Sequence, residues 1–143
     1  GRIIVMVKAV LFDCFGVVLD VVTNERMEAT IDFIRELKGE YKLGMISNVS
    51  SGEVLRSLFR KGELDQLFDV VVASGDVGVA KPQAQIYWKA LNALDVLPEE
   101  ALFIDDIARF TDAASDLGLQ TLLFESEAVS LPAIRQQLKE VSA

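Results

Sequence analysis

The sequence predicts an α/β protein with three layers, in which a parallel sheet of about five strands is covered by helices on both faces. Short apolar runs alternate along the chain with amphipathic stretches, which is typical of βαβ units. Hydrophobic residues make up 51% of the chain and the mean hydropathy is +0.33, values that strands buried on both faces explain. The length of 143 residues predicts a single domain spanning residues 1–143.

Five short, mostly apolar runs are predicted to be strands. They cover residues 8–13, 42–47, 68–73, 101–105 and 119–124. The first belongs to an apolar N-terminal run that carries Arg2 and faintly resembles a signal peptide. That run reaches Asp13 without a small-residue cleavage site, so we interpret it as a strand and expect a cytoplasmic protein.

Five amphipathic stretches are predicted to be helices. They cover residues 24–37, 51–61, 82–94, the segment from Asp106 to about Leu117, and residues 131–141. In the first of them, Met27, Ile31, Ile34 and Leu37 recur near helical spacing. Pro82 suits the first turn of the third helix, and Gly118 is well placed to end the fourth.

Charge and composition exclude several functional classes. The net charge is −8 and the pI is about 4.5, so no basic stripe is available for nucleic acid or for an anionic membrane surface. Charges interrupt every apolar run before it could cross a bilayer. The sequence has no histidine, which excludes Ser-His-Asp catalysis and His-ligated zinc, and its single cysteine, Cys14, cannot form an intramolecular disulfide.

Polar residues follow three of the predicted strands at the end where parallel α/β sheets bind ligands. Asp13 can be a nucleophile or a metal ligand, although it could simply cap a turn. Ser47 and Asn48 can bind phosphoryl oxygens, although both also suit a helix N-cap. Asp105 and Asp106 repel each other unless a cation is present, and their oxygens suit Mg²⁺.

A lysine precedes the third predicted helix. Lys81 lies next to Pro82 in a loop of glycine, alanine and valine, where its charge could balance a phosphate and a carboxylate. The alternative is a solvated lysine, which is the usual state of this residue.

The order and spacing of these four motifs resemble those of the haloacid dehalogenase superfamily. The sequences that carry the resemblance are AVLFDCFGV from Ala9, LGMISN from Leu43, VAKPQAQIY from Val79, and FIDD from Phe103 with a later AA and LG. The resemblance covers residues 8–124 and implies a Rossmann-like core of this superfamily. Only 33 residues lie between Asp13 and Ser47, so we expect no cap domain at the usual insertion point near residues 21–26.

The resemblance implies a phosphatase mechanism through an aspartyl-phosphate. Asp13 would be the nucleophile, and Lys81 would neutralise it and the developing charge. Ser47, Asn48 and Lys81 would bind the phosphoryl group. The implied ligands of Mg²⁺ are Asp13, the backbone carbonyl of Phe15, Asp105 and Asp106. The expected substrate is a phosphorylated small molecule or a larger phosphorylated partner.

Two residues depart from the superfamily pattern and weaken its acid/base machinery. Phe15 stands where phosphatases carry a second aspartate that transfers a proton. Phe110 stands where an asparagine or aspartate orients the lysine or serine. Haloacid dehalogenases proper also have an aromatic residue at the first place, but they lack an acidic pair such as Asp105 and Asp106.

Two other functions therefore stay open at this point. One is a non-catalytic scaffold or interaction protein that keeps the fold, and the high apolar content would also fit association with another copy. The other is a metal-independent 2-haloacid dehalogenase, which Phe15 favours.

Overall fold

The chain folds around a five-stranded, wholly parallel sheet with strand order β3-β2-β1-β4-β5. The computed structural model describes residues 5–142, and the side chains up to residue 139. The strands are β1 (Ala9–Phe12), β2 (Lys42–Ser47), β3 (Val70–Ala73), β4 (Ala101–Asp105) and β5 (Gln120–Leu123). The predicted fold class is confirmed; the first four residues of the apolar N-terminal run, including Arg2, lie outside the described residues.

Seven helices connect and flank the strands in the described part of the chain. They are α1 (Glu28–Leu37), α2 (Gly52–Ser57), α3 (Glu63–Leu67), α4 (Ser74–Val77), α5 (Ala84–Leu94), α6 (Ala108–Asp116) and α7 (Glu127–Ser142), with a 3-10 turn at Pro98–Glu100. None of these helices is long and apolar enough to cross a membrane. Between β1 and β2 the chain forms only a loop and α1, so no cap domain lies there.

The sheet separates two hydrophobic cores, which makes the three layers. Alternate residues of a strand point to opposite faces, and β1 shows this clearly. Its Val10 and Phe12 belong to the core beneath α1 and α7, whereas Ala9 and Leu11 belong to the core beneath α5 and α6. All four side chains are fully buried. Burial on both faces accounts for the high mean hydropathy of the sequence.

The first helix begins at Glu28, later than the predicted residue 24. Residues 19–26 instead form a hairpin-like turn, with a bridge between Leu19 and Arg26. The carboxylate of Asp20 accepts hydrogen bonds from the backbone N–H groups of Val22 and Thr23 and from the Thr23 hydroxyl. This side-chain bonding offers the backbone an alternative to the helix.

The other boundary differences also have local causes. The predicted helix over residues 51–61 ends at Ser57, and Gly62 adopts a φ of 73° before the unpredicted α3. Pro82 lies ahead of α5 rather than in its first turn. The last helix begins at Glu127 instead of residue 131, because the Ser126 hydroxyl caps its N-terminus by accepting a hydrogen bond from the Val129 N–H at 3.2 Å.

A buried glutamate joins α3 to α1. Glu63 is 5% exposed and accepts hydrogen bonds from both terminal nitrogens of Arg26, from Arg35 at 3.0 Å and from the backbone N–H of Arg60. The hydrogen bonds from Arg26 lower the pKa of Glu63. The ion pair therefore favours the charged carboxylate and fixes the short helix α3 against the longer α1.

Replacing Glu63 with glutamine should lower the free energy of unfolding at pH 7 by about 2 kcal/mol, the scale of hydrogen bonds to charged groups. Because the folded-state pKa of Glu63 is depressed, its contribution is complete above the unfolded pKa near 4.5. It is lost as the pH falls through the folded-state value. Urea unfolding of wild type and Glu63→Gln should thus show a gap at pH 7 that narrows toward pH 3.

The matched control is Glu53→Gln, since Glu53 is an exposed acid on α2. This change should alter the free energy of unfolding by less than about 0.5 kcal/mol. A Glu63→Gln gap of equal size at both pH values would contradict the ion-pair account.

Candidate active site

Three polar motifs meet at the carboxyl edge of the sheet, because the strands that carry them are parallel. Asp13 directly follows β1, Ser47 ends β2, and Asp105 ends β4. The backbone N–H of Asp13 donates to the carbonyl of Ile104 at 2.9 Å, which extends the pairing of β1 and β4 to the site. The ends of the two central strands therefore lie side by side and place their carboxylates together.

The side chain of Lys81 enters this site from the loop between α4 and α5. Its Nζ donates to Asp13 Oδ1 at 2.7 Å and to Asp105 Oδ2 at 2.8 Å. The lysine side chain is only 1% exposed and that of Asp105 is fully buried. A buried ammonium must be paired to be tolerated, and here two carboxylates pair with it. Lys81 is thus not the solvated lysine of the alternative interpretation.

The carboxylates carry more negative charge than Lys81 can balance. Burial raises the pKa of Asp13 well above its usual range; Lys81 opposes this, while the charge of Asp105 and a contact with Asp106 add to it. Burial likewise raises the pKa of Asp105, again against Lys81. Three carboxylates and one ammonium leave a formal charge of −2 when all are ionised, so a cation at the site would favour the ionised carboxylates.

Asp106 completes the acidic cluster, and one of its carboxylate oxygens accepts no hydrogen bond from the described residues. Asp13, Asp105 and Asp106 each offer an oxygen, and these oxygens lie within 4.8 Å of one another. Gly16 makes room for Asp106, since a Cβ at residue 16 would lie 2.2 Å from Asp106 Oδ2. Among the described side chains, two have a buried polar atom without a hydrogen-bond partner, Asp106 Oδ1 and Ser47 Oγ. Such atoms are available to a ligand, an ion or a water molecule.

Asn48 holds the backbone of Lys81. Its side-chain nitrogen donates to the Lys81 carbonyl at 3.0 Å, and its side-chain oxygen accepts from the Lys81 N–H at 2.9 Å. Both ends of the amide are therefore engaged with the lysine. The sequence-based role of Asn48 in binding phosphoryl oxygens stays a prediction, and the structure adds a positioning role that the sequence analysis missed.

A short segment after β3 braces the loop that follows Ser47 and Asn48. The Ser74 hydroxyl donates to the Val49 carbonyl and accepts from the Val49 N–H, and Asp76 accepts from the Gly52 N–H at 2.9 Å. Gly75 is packed so closely that a Cβ there would lie 1.7 Å from the Ser50 carbonyl oxygen. The sequence analysis missed these contacts. The signal that could have found them is that Ser74 directly follows β3, since polar residues directly after a strand were how the other motifs were found.

The neighbouring aromatic and sulfur groups have distinct surroundings. Phe15 is half-buried and packs against the core beneath α1, and the role of its carbonyl as a metal ligand stays a prediction. The ring of Phe110 lies against Lys81. Burial raises the pKa of the Cys14 thiol, which disfavours the reactive thiolate form.

Residues 16–124 match the haloacid dehalogenase-like hydrolase family. The chain belongs to this family. The match covers most of the sequence and runs through the segments that carry Ser47, Lys81, Asp105 and Asp106, so the resemblance noted in the sequence is confirmed.

Pyrophosphatases named PpaX are among the similar curated proteins. The one from Bacillus cereus is 40% identical over 83 residues, which are 57% of this chain and 38% of that protein. The one from Bacillus mycoides is 39% identical over 99 residues, which are 68% of this chain and 46% of that protein. The chain therefore spans less than half the length of these relatives.

Solved structures of the superfamily share the fold. A hydrolase from Ehrlichia chaffeensis superposes with a TM-score of 0.77 at 19% identity, over 94% of this chain and 98% of that one. A family enzyme from Bacteroides thetaiotaomicron, in complex with magnesium and inorganic phosphate, gives a TM-score of 0.69 at 16% identity, over 83% and 94% of the two chains.

Replacing Asn48 with alanine should lower the free energy of unfolding by about 1–3 kcal/mol, because the backbone N–H and carbonyl of the buried Lys81 would lose their partners. Chemical denaturation measures this loss. Asn92→Ala, at an exposed position on α5, is the matched control and should change stability much less. Equal losses of stability in the two variants would show that the hydrogen bonds between the Asn48 side chain and the Lys81 backbone do not stabilise the site.

Proposed function

We propose that this protein is a Mg²⁺-dependent phosphatase that acts through an aspartyl-phosphate on Asp13. The observation that supports this function best is the cluster of Asp13, Asp105 and half-buried Asp106, in which the ammonium of Lys81 bridges Asp13 and Asp105. Its formal charge of −2 with all groups ionised would be balanced by one divalent cation. Carboxylate oxygens are also the ligands that Mg²⁺ prefers.

The residues present fit a magnesium ion, and Asp106 fits it best of the acidic pair. Both oxygens of Asp105 already accept hydrogen bonds, one from Lys81 and one from the Ile107 N–H. Asp106 Oδ1 is buried without a partner. We propose that Asp13, Asp106 and the Phe15 carbonyl hold the ion, with Asp105 as a further acidic neighbour. When bound, the ion supplies positive charge to the transferring phosphoryl group.

The chain's own residues then perform the transfer. A carboxylate oxygen of Asp13 attacks phosphorus, and the bond to the leaving oxygen breaks with its electron pair. Lys81 orients the nucleophile through its bond to Asp13 Oδ1 and places positive charge beside the phosphoryl oxygens. The Ser47 hydroxyl, which has no hydrogen-bond partner among the described residues, donates to one of those oxygens. Water then cleaves the aspartyl-phosphate, releasing phosphate and a proton and restoring the carboxylate.

The side chain at position 15 determines whether the site can protonate the leaving group. Phe15 cannot transfer a proton, so we propose that the favoured substrates have leaving groups that depart as stable anions, such as phenolates or phosphate. The chain has no cap domain inserted between β1 and β2 that could cover the site. The open edge suits either a phosphorylated small molecule or a larger phosphorylated partner. The cytoplasmic location, the lack of nucleic-acid or membrane binding, and self-association stay predictions of the sequence.

An aryl phosphate such as p-nitrophenyl phosphate is therefore the substrate of choice for a first test. We expect hydrolysis by the wild type that requires Mg²⁺ and that falls in Asp13→Asn to the rate without enzyme, because the nucleophile is lost. Asp112→Asn, an exposed aspartate on α6, is the matched control and should keep wild-type turnover.

Other outcomes of the same assay would redirect the function. Turnover that survives in Asp13→Asn would eliminate the aspartyl-phosphate mechanism. The absence of any turnover would favour the scaffold function, and release of halide from a 2-haloacid without metal would favour a dehalogenase.

Magnesium binding has a readout that does not depend on turnover. Mg²⁺ at about 100 times its dissociation constant should raise the free energy of unfolding of the wild type by about 2.7 kcal/mol. In Asp106→Asn this rise should be mostly lost, because the spare oxygen becomes part of a neutral amide. Thermal unfolding with and without Mg²⁺ measures the difference, and an undiminished rise in Asp106→Asn would remove this residue from the ligand set.

A further inference from the structure

The ammonium of Lys81 has two kinds of neighbour. On one side are the carboxylates of Asp13 and Asp105, at 2.7 and 2.8 Å. Two aromatic rings also lie near it: the centroid of Phe110 lies 5.1 Å from Nζ, and that of Phe103 lies 5.7 Å away. Both distances are within the range of about 6 Å in which a ring face attracts a cation. Because the lysine side chain is only 1% exposed, water screens this attraction little.

The rings are fixed by contacts of their own. The Tyr87 hydroxyl donates to the Phe110 carbonyl at 2.8 Å, and the Tyr87 ring meets the Phe103 ring edge to face, with centroids 5.3 Å apart. Tyr87 and Phe103 are fully buried, and Phe110 is 5% exposed. The exposed Arg109 adds a second cation over the Phe110 ring, at 4.8 Å. The Phe110 ring therefore contacts one buried and one exposed cation.

The rings attract the ammonium without accepting a conventional hydrogen bond from it. An ammonium has three donors, and the carboxylates of Asp13 and Asp105 take two of them. A polar acceptor in place of the Phe110 ring would compete for the third. An aromatic face holds the charge through its quadrupole instead, which leaves a donor for an oxygen of the substrate.

We propose that Phe110, supported by Phe103, is a positioning residue that holds Lys81 between Asp13 and Asp105 while keeping its third N–H available for the phosphoryl group. This inference rests on the proposed phosphatase function for its catalytic consequence. The sequence pattern presents Phe110 as the loss of a polar residue that orients the lysine. In this proposal the aromatic ring performs that orientation by a different interaction.

The test must separate the charge distribution of the ring from its shape. Fluorine atoms weaken the negative face of a phenyl ring while changing its size little. We would place 4-fluoro-, 3,5-difluoro- and 3,4,5-trifluorophenylalanine at position 110 and measure kcat and KM for p-nitrophenyl phosphate. We expect kcat to fall stepwise with each added fluorine, by about tenfold over the series (~1.4 kcal/mol), with a smaller change in KM.

The matched control is the same series at Phe33. This ring is 2% exposed and also carries a cation, with the Arg135 guanidinium 5.0 Å from its centroid, but it lies in the core beneath α1 and α7. Fluorination there should leave kcat unchanged. A flat series at Phe110, or equal losses at both positions, would overturn the positioning role and leave Phe110 as a core residue only.

A second readout keeps this inference distinct from the proposed function. Protons over a ring face resonate upfield, so the side-chain methylene next to Nζ of Lys81 should be shifted upfield in the wild type and return toward its ordinary position in Phe110→Leu. The signal is assigned by its absence in Lys81→Arg. If the upfield shift is present but no phosphatase turnover is found, the placement of Lys81 against the Phe110 ring is supported and the proposed phosphatase function fails. Turnover without the shift would overturn the placement alone.

Discussion

The buried ion pairs of Lys81 with Asp13 and Asp105 are the interaction on which the site depends. They connect the ends of the two central strands, β1 and β4, to the loop before α5, and these segments are far apart in the chain. Removing the lysine would leave two buried carboxylates facing each other, which is among the most costly changes a protein interior can suffer. The same contacts hold the side chain of Asp13, so the stability of this edge of the sheet and the chemistry proposed for it rest on the same atoms.

Around this bridge the structure places supports that act at a distance from the reacting groups. Asn48 fixes the backbone of Lys81, and the segment Ser74–Val77 braces the loop after Asn48. Gly16 allows Asp106 to approach. Among the described residues, these supports leave Asp106 Oδ1 and the Ser47 hydroxyl without hydrogen-bond partners. The net negative charge of the ionised cluster would favour the binding of a cation, because a cation relieves the repulsion between buried carboxylates.

Membership in the haloacid dehalogenase-like hydrolase family accounts for the order of the motifs, and the differences from the family pattern give this chain its individual character. Two phenylalanines stand where polar residues are usual. Phe15 packs against the core and brings no proton donor to the leaving group, whereas the Phe110 ring contacts the lysine. Phenylalanine in place of a polar residue therefore has different consequences at positions 15 and 110. The difference comes from what surrounds each ring.

The sequence by itself determined the three-layer class, the five strands and the four motifs at their ends, because periodicity and apolar runs are properties of neighbouring residues. It missed helices α3 and α4 and the first turn of α7, where Gly62 precedes α3 and the Ser126 hydroxyl caps α7. The tertiary structure alone decided that Asn48 clamps Lys81 and that Phe110 faces it. These contacts join residues about thirty positions apart, and such proximity follows from the packing of the whole sheet, which no local pattern records.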